Sequence, residues 1–393
     1  MNDILIKYNH MNIRKILKAV LFVLLVLLFS CKEDYMPEID DYEDLLVVEG
    51  IIDGFQGPYQ VQLSRSVPLS DMYFAPYEFC EVLIIDDEGA EMPLVESDPG
   101  LYQQKDFDFC MKENHHYKLK IKTPGGKNYE SEWESFHEAV GIDTVYAEIH
   151  YKAAPYLNRD YAGYQFFVNT KPLEKDTCFF LWLLDETWEF NADFYIDKIY
   201  HGPITDFENF DSVYTCWRTE IIKDIFSLSV QGHSNPEVSA HKLNFVDTET
   251  RKLSVRYSLN VKQFTVDRKA YEYWSSIGSL ISEDASLFAS QPYHVQGNIR
   301  CTDDDDEVVL GYFSIAGMDE MRVFVNPPVD ASFYYPECTP ITDLRGLGFT
   351  PPSQYPVYLT VLENGKMAYA GKACFDCTLN GGGLDKPEFW TYD

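Results

Sequence analysis

The sequence predicts a mostly β protein with two units, a small β-sandwich followed by a larger β-rich domain with one prominent helix. Three observations lead to this prediction. Aromatic residues make up 15% of the 393 residues, with 28 Tyr and 26 Phe, and strands favour these residue types. Several segments alternate apolar and polar residues, which is the period of a half-buried strand. The length suits two domains, and one segment of the second has a convincing helical period.

Composition and charge exclude several classes of function. Apolar residues are 46% and charged residues 24% of the chain, as in a folded globular protein and unlike a disordered one. The formal net charge is −31, from 32 Lys+Arg against 63 Asp+Glu. Phosphate binding needs a basic surface, so the sequence predicts no nucleic-acid partner. The same charge disfavours electrostatic adhesion to an anionic membrane.

Residues 1–30 are predicted to be a lipoprotein signal peptide. Their apolar run, Ala19–Phe29, is shorter than the ~20 residues that a bilayer span needs, and it follows a positively charged segment. Leu28-Phe29-Ser30-Cys31 resembles a bacterial lipobox, in which a small residue precedes a Cys that is diacylated and becomes the new N-terminus. The alternative is an ordinary Cys31 after a cleaved export signal. The positive charges are Arg14, Lys15 and Lys18.

The residues after the lipobox predict export to the cell surface. Lys32, Glu33 and Asp34 resemble the signal that sends Bacteroidota lipoproteins to the outer face of the outer membrane. The alternative is that they are part of an acidic linker over residues 31–44. The leader has a net charge of +3, so the mature chain is near −34. We therefore expect acyl chains, and not charge, to anchor the protein in the membrane.

Residues 45–138 are predicted to form the sandwich module. Strands at ~10-residue spacing, without a segment of helical period, favour a small antiparallel sandwich. The strands are Tyr59–Ser64, Glu81–Asp86, Tyr117–Lys122 and Lys127–Trp133, the last two joined by Pro124-Gly125-Gly126. The module resembles the transthyretin-like or immunoglobulin-like modules of bacterial surface proteins. That resemblance is carried by Val82, Asp86, Gly89, Gly100-Leu101-Tyr102 and Tyr117-Lys118-Leu119.

Residues 139–393 are predicted to form the larger domain, with the link near Ala139–Ile142. Its helix, Asp267–Ile281, has Thr265 or Asp267 as its cap and an apolar face. The continuous apolar run Cys178–Leu184 indicates a strand that is buried on both faces. The other strands are Val145–Tyr151, Val255–Val261, Val308–Ile315, Arg322–Val325, Val357–Leu362 and Met367–Ala370.

The cysteines are candidates for disulfides in an exported chain. Nine are present, and lipidation of Cys31 would leave eight, an even number with 105 pairings. Cys374 and Cys377 are predicted to be structural, paired with each other or with Cys216 or Cys338. A redox pair or half of a zinc site is the alternative. The candidates for disulfides are Cys80, Cys110, Cys216, Cys338, Cys374 and Cys377.

The sequence contains no catalytic motif that we recognise. The lipase-type Ser elbow, the zinc-protease H-E-x-x-H, the P-loop and the dinucleotide fingerprint are all missing. We therefore predict no catalytic residue, no metal and no cofactor. Asp303–Asp306 is a solvated loop or, alternatively, a Ca²⁺ site. Two further pairs would be core residues or, alternatively, line a ligand groove: His115 with His116, and Trp182 with Trp188.

Several segments are informative when taken together: Val47–Gly50, Tyr59–Ser66, Tyr117–Phe136, Ile142-Asp143, Gln263–Trp274, Gln291-Pro292, Gly297–Ile299, Val309–Phe313, Cys374–Cys377 and Lys386–Trp390. Together they resemble a Bacteroidota outer-membrane lipoprotein family, domain of unknown function number forty-two forty-nine. The resemblance implies a neighbour of TonB-dependent receptors, and hence a surface lipoprotein that partners such a transporter or binds its ligand, without enzymatic activity. The alternatives are an adhesin or structural surface protein and an unrecognised hydrolase.

Overall fold

The structure is a computed structural model that describes most of the chain from Asp44 onward. The described residues are 44–53, 57–68, 73–105, 111–113, 115–154, 159–172, 177–209, 211–231, 237–283, 295–329 and 331–392. The predicted signal peptide, Cys31, Lys32, Glu33, Asp34 and Cys110 lie outside them.

The described chain is mostly β, as the sequence predicts, with helix α1 at Arg268–Glu283. The strands in chain order are β1 (Leu46–Asp53), β2 (Gln60–Arg65), β3 (Ala75–Pro76), β4 (Glu81–Asp86), β5 (Glu91–Asp98), β6 (Leu101–Gln104), β7 (His116–Lys122), β8 (Asn128–Ser131), β9 (Glu134–Ser135), β10 (Ile142–Ala154), β11 (Arg159–Thr170), β12 (Thr177–Asn191), β13 (Lys198–Tyr200), β14 (Ile204–Asp206), β15 (Thr215–Gln231), β16 (His241–Asp247), β17 (Arg256–Val266), β18 (Ile299–Cys301), β19 (Leu310–Val325), β20 (Val357–Val361) and β21 (Met367–Tyr369).

One sheet contains strands from both predicted domains. Its order is β15-β12-β17-β19-β1-β2-β6-β5-β4-β7-β8-β18, with β3 paired to β2 and β9 to β7. β1 and β19 join the two halves and run parallel, with Val48 opposite Gly311. Two smaller sheets have the orders β10-β11-β16 and β14-β13-β20-β21. The division at residue 139 remains a prediction.

In residues 45–138 the sequence correctly predicts β2, β4, β7 and β8, but it does not predict β1, β3, β5, β6 or β9. Tyr117, Leu119 and Ile121 on β7 are all buried, while the lysines between them face outward. They belong to a core built from the first-half strands together with Ile299 and Phe313 of the second half. A separate core forms around β12 and β17, and a third lies beneath α1.

Two strands are longer than the apolar pattern predicts, because charged residues that break the pattern are paired in the structure. β12 continues past Leu184 through Glu186, whose carboxylate accepts hydrogen bonds from Lys252 and Tyr257. β19 is one strand where two were predicted. Its first half pairs with β1 as far as Ala316, and from Gly317 onward it pairs with β17.

Helix α1 begins and packs as the sequence predicts. The Asp267 carboxylate accepts a hydrogen bond from the Ala270 N–H at 2.7 Å, which caps the first turn. The helix covers the face of the large sheet that carries Leu181 and Phe264. Tyr273 and Trp274 are partly buried in this contact.

Candidate functional site

A buried carboxyl group, Glu134, lies where several distant segments of the chain meet. Glu134 is on β9 and is only 2% exposed. Its Oε1 accepts hydrogen bonds from Asn298 Nδ2 at 2.8 Å and from the Tyr312 hydroxyl at 3.3 Å. We call Glu134, Asn298 and Tyr312 the Glu134 junction.

Asn298 connects the junction to the large sheet through both the nitrogen and the oxygen of its side-chain amide. Its Nδ2 also donates to the Phe313 carbonyl at 2.7 Å, and its Oδ1 accepts from the Phe313 N–H at 3.0 Å. The Asn298 carbonyl accepts from the Glu132 N–H at 2.7 Å. The side chain therefore pairs with β19 as a strand backbone would, and it holds β9 and β19 together.

Two glycines allow three backbones to approach closely beside the junction. A Cβ at Gly297 would lie 1.7 Å from the Gly311 carbonyl oxygen. Gly311 has a φ of +95°, and its own Cβ would lie 1.9 Å from the Val48 oxygen. Only glycine fits either position, because backbone atoms occupy the space.

The segments that carry the family resemblance converge on this place. Val48, Gly297, Asn298, Gly311 and Tyr312 all belong to those segments, although they come from three separate parts of the sequence. Glu134 lies within the segment Tyr117–Phe136, but the sequence reasoning did not single it out. Glu134 is one of several acidic residues in this stretch, so nothing in the local sequence marks it as buried, and its partner Asn298 is 164 residues away.

Burial raises the pKa of Glu134 to about 8, and the carboxylates of Asp267 and Glu132 act in the same direction. The hydrogen bonds from Asn298 and Tyr312 oppose this and lower the pKa. Glu134 is thus mostly protonated at pH 7, as a carboxyl group in an apolar setting with acidic neighbours should be. The carboxyl group serves as a neutral hydrogen-bonding group that positions Asn298 and Tyr312.

An open groove of about 420 Å³ lies over the junction. Tyr273 of α1 forms one wall and packs on the Tyr312 ring, with centroids 4.9 Å apart. The groove also contains an ion pair between Lys269 and Glu132. Asn298 and Tyr312 cover Glu134, so a ligand in the groove would meet aromatic rings and amides before the acid. This arrangement suits recognition of a ligand better than proton transfer to it. The remaining lining residues are Glu272, Ser276, Val295, Gln296 and Gly297.

A second cleft, of about 480 Å³, is lined by the predicted link between the two domains. The link is held to the sheet at both ends. Val140 accepts a hydrogen bond from Gln263 Nε2 at 2.7 Å and donates one to the Thr265 hydroxyl at 3.0 Å. The Ile142 N–H donates to Asp319 Oδ2 at 2.7 Å. These contacts fix the path of the chain across β17 and β19.

The C-terminal cysteines form two disulfides, neither within the C-x-x-C motif. Cys216 is bonded to Cys377 and Cys338 to Cys374. The sulfurs of Cys338 and Cys374 lie near the Asp193 carboxylate, but sulfurs bonded to each other are not thiolate ligands for a metal. Asp193 instead pairs with Arg251 and accepts from the Cys338 N–H.

Cys80 does not form the disulfide for which it was a candidate. Its thiol is free and contacts the carbonyl oxygens of Tyr77 and Glu78. The Cys80 N–H donates a hydrogen bond to the Tyr102 hydroxyl, so Cys80 belongs to a turn that hydrogen bonds stabilise.

The other candidate residues from the sequence make contacts that support the fold. Trp182 and Trp188 belong to the core around β12, and Trp182 donates to Gln263 at 2.8 Å. His115 and His116 both contact Asp87. Desolvation raises the pKa of the Asp87 carboxyl, but the hydrogen bonds with the two histidines outweigh it, and the pKa is lower than usual. The loop Asp303–Asp306 is exposed, and Asp303 accepts hydrogen bonds from Asn128.

Comparison with known families assigns the chain. The family described as Domain of unknown function (DUF4249) matches residues 32–322. The chain belongs to this family. Its match includes the whole Glu134 junction and ends within β19. No curated protein matches the chain. Among the described residues, no helix is long and apolar enough to cross a membrane.

Proposed function

We propose that the mature chain is a lipid-anchored, non-enzymatic protein of the outer-membrane surface that works with a TonB-dependent transporter, as its accessory or ligand-binding partner. The observation that carries this proposal is the lipobox-like segment Leu28–Cys31, which ends directly before the family match begins at residue 32. The match therefore begins at the residue that follows the predicted lipidated cysteine and extends over most of the chain that would remain after cleavage. The resemblance to Bacteroidota surface lipoproteins supplies the transporter as partner.

The groove over the Glu134 junction supports a binding role. Tyr273 and Tyr312 provide aromatic surface, and Lys269 and Glu132 provide charge beside it. Aromatic surface with a few fixed polar groups is typical of recognition sites. Glu134 is shielded beneath them, so it positions the groove and does not react with a ligand.

Co-purification tests the transporter partner. The native protein, extracted in mild detergent from cross-linked cells, should retain an outer-membrane receptor identified by mass spectrometry. A Tyr273→Ala variant keeps the anchor and serves to ask whether the groove takes part in the contact. Recovery of the native protein without any outer-membrane receptor would reject the transporter role and favour the adhesin alternative.

Surface export has its own test. Changing Lys32, Glu33 and Asp34 together to Ala should keep the acyl chains but protect the protein from protease added to whole cells. Changing Glu38, Asp40 and Asp41 to Ala instead removes three charges from the same acidic linker and serves as the matched control. Equal proteolysis of the native and triplet variants would show that the triplet is only linker.

A further inference from the structure

Three large aromatic side chains near the start of the described chain point into solvent. Tyr73 is 61% exposed, Phe74 is 60% exposed and Phe79 is 77% exposed. Single exposed apolar residues are common, but three within seven positions of one another mark a surface that contacts something apolar. We call these three residues the aromatic rim.

Phe79 is held outward in a conformation that is costly for it. Its φ is +62°, in the left-handed region that a residue with a Cβ rarely adopts. The Phe79 N–H donates to Glu96 Oε2 at 2.9 Å, while Glu96 Oε1 accepts from the Gly100 N–H at the same distance. The strained residue is thus clamped to the neighbouring turn.

Buried hydrogen bonds hold the other side of the same turn. The Tyr102 hydroxyl accepts from the Cys80 N–H at 2.8 Å and donates to the Tyr77 carbonyl at 2.9 Å. Tyr102 is itself only 1% exposed. Backbone strain that the surroundings maintain is concentrated at functional sites, and here its result is an aromatic ring presented to solvent.

The rim lies at the end of the sheet where the chain arrives from Cys31. Leu46 of β1 is opposite Arg65 of β2, and Arg65 is opposite Ala75 of β3. β1 and β3 both run antiparallel to β2, so the residues before Leu46 and those before Ala75 leave the sheet at the same end. Tyr73 and Phe74 are the residues immediately before Ala75.

The Phe79 turn is close to that end as well. The Tyr77 N–H donates to the Leu63 carbonyl at 2.9 Å, and Leu63 is two residues from Arg65 on β2. Two strand residues correspond to about 7 Å. The backbone at all three rim residues is therefore near the point where the chain enters the fold.

The tether between the anchor and this end is short. Residues 32–43 separate Cys31 from Asp44, and they span at most about 45 Å when fully extended. Asp44 is fixed by an ion pair with Arg65 at 3.1 Å, next to the rim. Acyl chains on Cys31 would thereby keep this end of the sheet near the lipid surface.

We propose that the aromatic rim is a second membrane contact, in which Tyr73, Phe74 and Phe79 enter the headgroup region of the membrane that holds the Cys31 acyl chains. Aromatic side chains prefer this region, because their rings are apolar and a Tyr hydroxyl stays hydrated. Electrostatic attraction to lipid does not drive this contact, because the carboxylates of Asp44, Glu78 and Glu96 near the rim outnumber the guanidinium of Arg65. The anchor itself rests on the proposed function, whereas the rim can be tested without it.

Flotation with phosphatidylcholine vesicles tests the rim on its own. The chain from Lys32 onward, produced without the leader and without Cys31 and therefore without acyl groups, should float with the vesicles at high lipid concentration. Combined Tyr73→Ser, Phe74→Ser and Phe79→Ser changes should reduce the bound fraction at least tenfold. Phe349→Ser is the matched control and should bind like the parent, because Phe349 is 89% exposed but lies in a short helix after β19, outside the rim.

The possible outcomes distinguish membrane binding by the rim from membrane attachment by acyl chains and from contact with a transporter. Vesicle binding that the triple change abolishes supports the rim even if Cys31 is never acylated in cells, since neither acyl chain nor transporter is present. Failure of the parent to float, or equal flotation of parent and triple variant, overturns the proposal. So does a triple variant that floats normally but loses a co-purifying receptor, which would make the rim a protein interface. Phe79→Gly guards against misfolding, because glycine tolerates the left-handed conformation that the turn requires.

Discussion

The first half of the large sheet and the C-terminal segment after β19 are stabilised in different ways. In the first half, alternating strands bury a continuous core that includes Val48, Tyr117 and Phe313. After β19, the described chain has two short strands and several short 3-10 helices, and large side chains such as Phe349 remain exposed. Both disulfides that the structure describes involve this second segment. Long paired strands supply a continuous core in one region, whereas the other combines short strands with two disulfides.

The largest effect should come from removing the Cys216–Cys377 disulfide. It closes a loop with a sequence separation of 161, for which chain entropy gives about 5 kcal/mol of stabilisation. The Cys216→Ser/Cys377→Ser variant should lose that much in denaturant unfolding. Amide exchange should accelerate first in the C-terminal segment. Cys80→Ser is the control in the first half, and it should cost less than about 1 kcal/mol because that thiol is free. A similar loss in both variants would contradict the contrast between the regions.

The Glu134 junction should give the first half a pH-dependent stability. An unfolded Glu loses its proton near 4.5, whereas folded Glu134 keeps it to about 8, so the folded state binds more protons between these values. Its contribution is therefore complete below pH 4.5 and is lost as the pH rises through 8. The loss should be on the order of 4 kcal/mol.

Glu134→Gln isolates this contribution. The substituted side chain keeps an oxygen that accepts from Asn298 and Tyr312 but cannot ionise. The unfolding free energy of the Glu134→Gln variant should therefore rise relative to that of the native protein as the pH increases from 5 to 9. A difference that stays constant with pH would mean that Glu134 ionises normally.

Asn298→Ala should destabilise the same junction by about 3 kcal/mol. It removes the amide that pairs with Glu134 and with both backbone groups of Phe313, and it leaves those buried groups unsatisfied. Asn380→Ala is a suitable control, since Asn380 is exposed and its side chain donates a hydrogen bond to the Ala373 carbonyl. Equal midpoints in urea for the two variants would show that the junction contributes little.

The smallest effect on stability should come from the left-handed position of Phe79. Phe79→Gly removes a Cβ from the left-handed region and should leave stability unchanged or raise it by about 1 kcal/mol, while vesicle binding falls. Ala240 has a φ of +52°, and Ala240→Gly should show the same gain in stability with no change in binding. A clear loss of stability for Phe79→Gly would indicate that the ring supports the fold.

Much of the fold could be predicted from the sequence, because alternation is a local signal. It located β4 at Glu81–Asp86, and the Asp267 cap located α1. The misses share a cause, which is pairing between residues far apart in the sequence. Nothing near Glu186 indicates that Lys252 will pair with it inside the sheet, and so β12 was predicted too short.

The same limit applies to the candidate site. Asn298 and Tyr312 stood in segments that carry the family resemblance, but their meeting with Glu134 depends on the parallel pairing of β1 and β19. The two disulfides were among many pairings that the cysteine count allows. Local sequence patterns thus predicted strands and the helix, whereas the contacts between distant residues could be seen only in the structure.

Acyl labelling of the Cys31→Ser variant tests the central claim most directly. Cells grown with a tagged fatty acid should label the native protein, which should be recovered with the outer membrane. The Cys31→Ser variant should carry no label, because the residue that would accept the acyl chains is gone. Continued labelling of that variant, or a native protein without label, would contradict the lipid anchor.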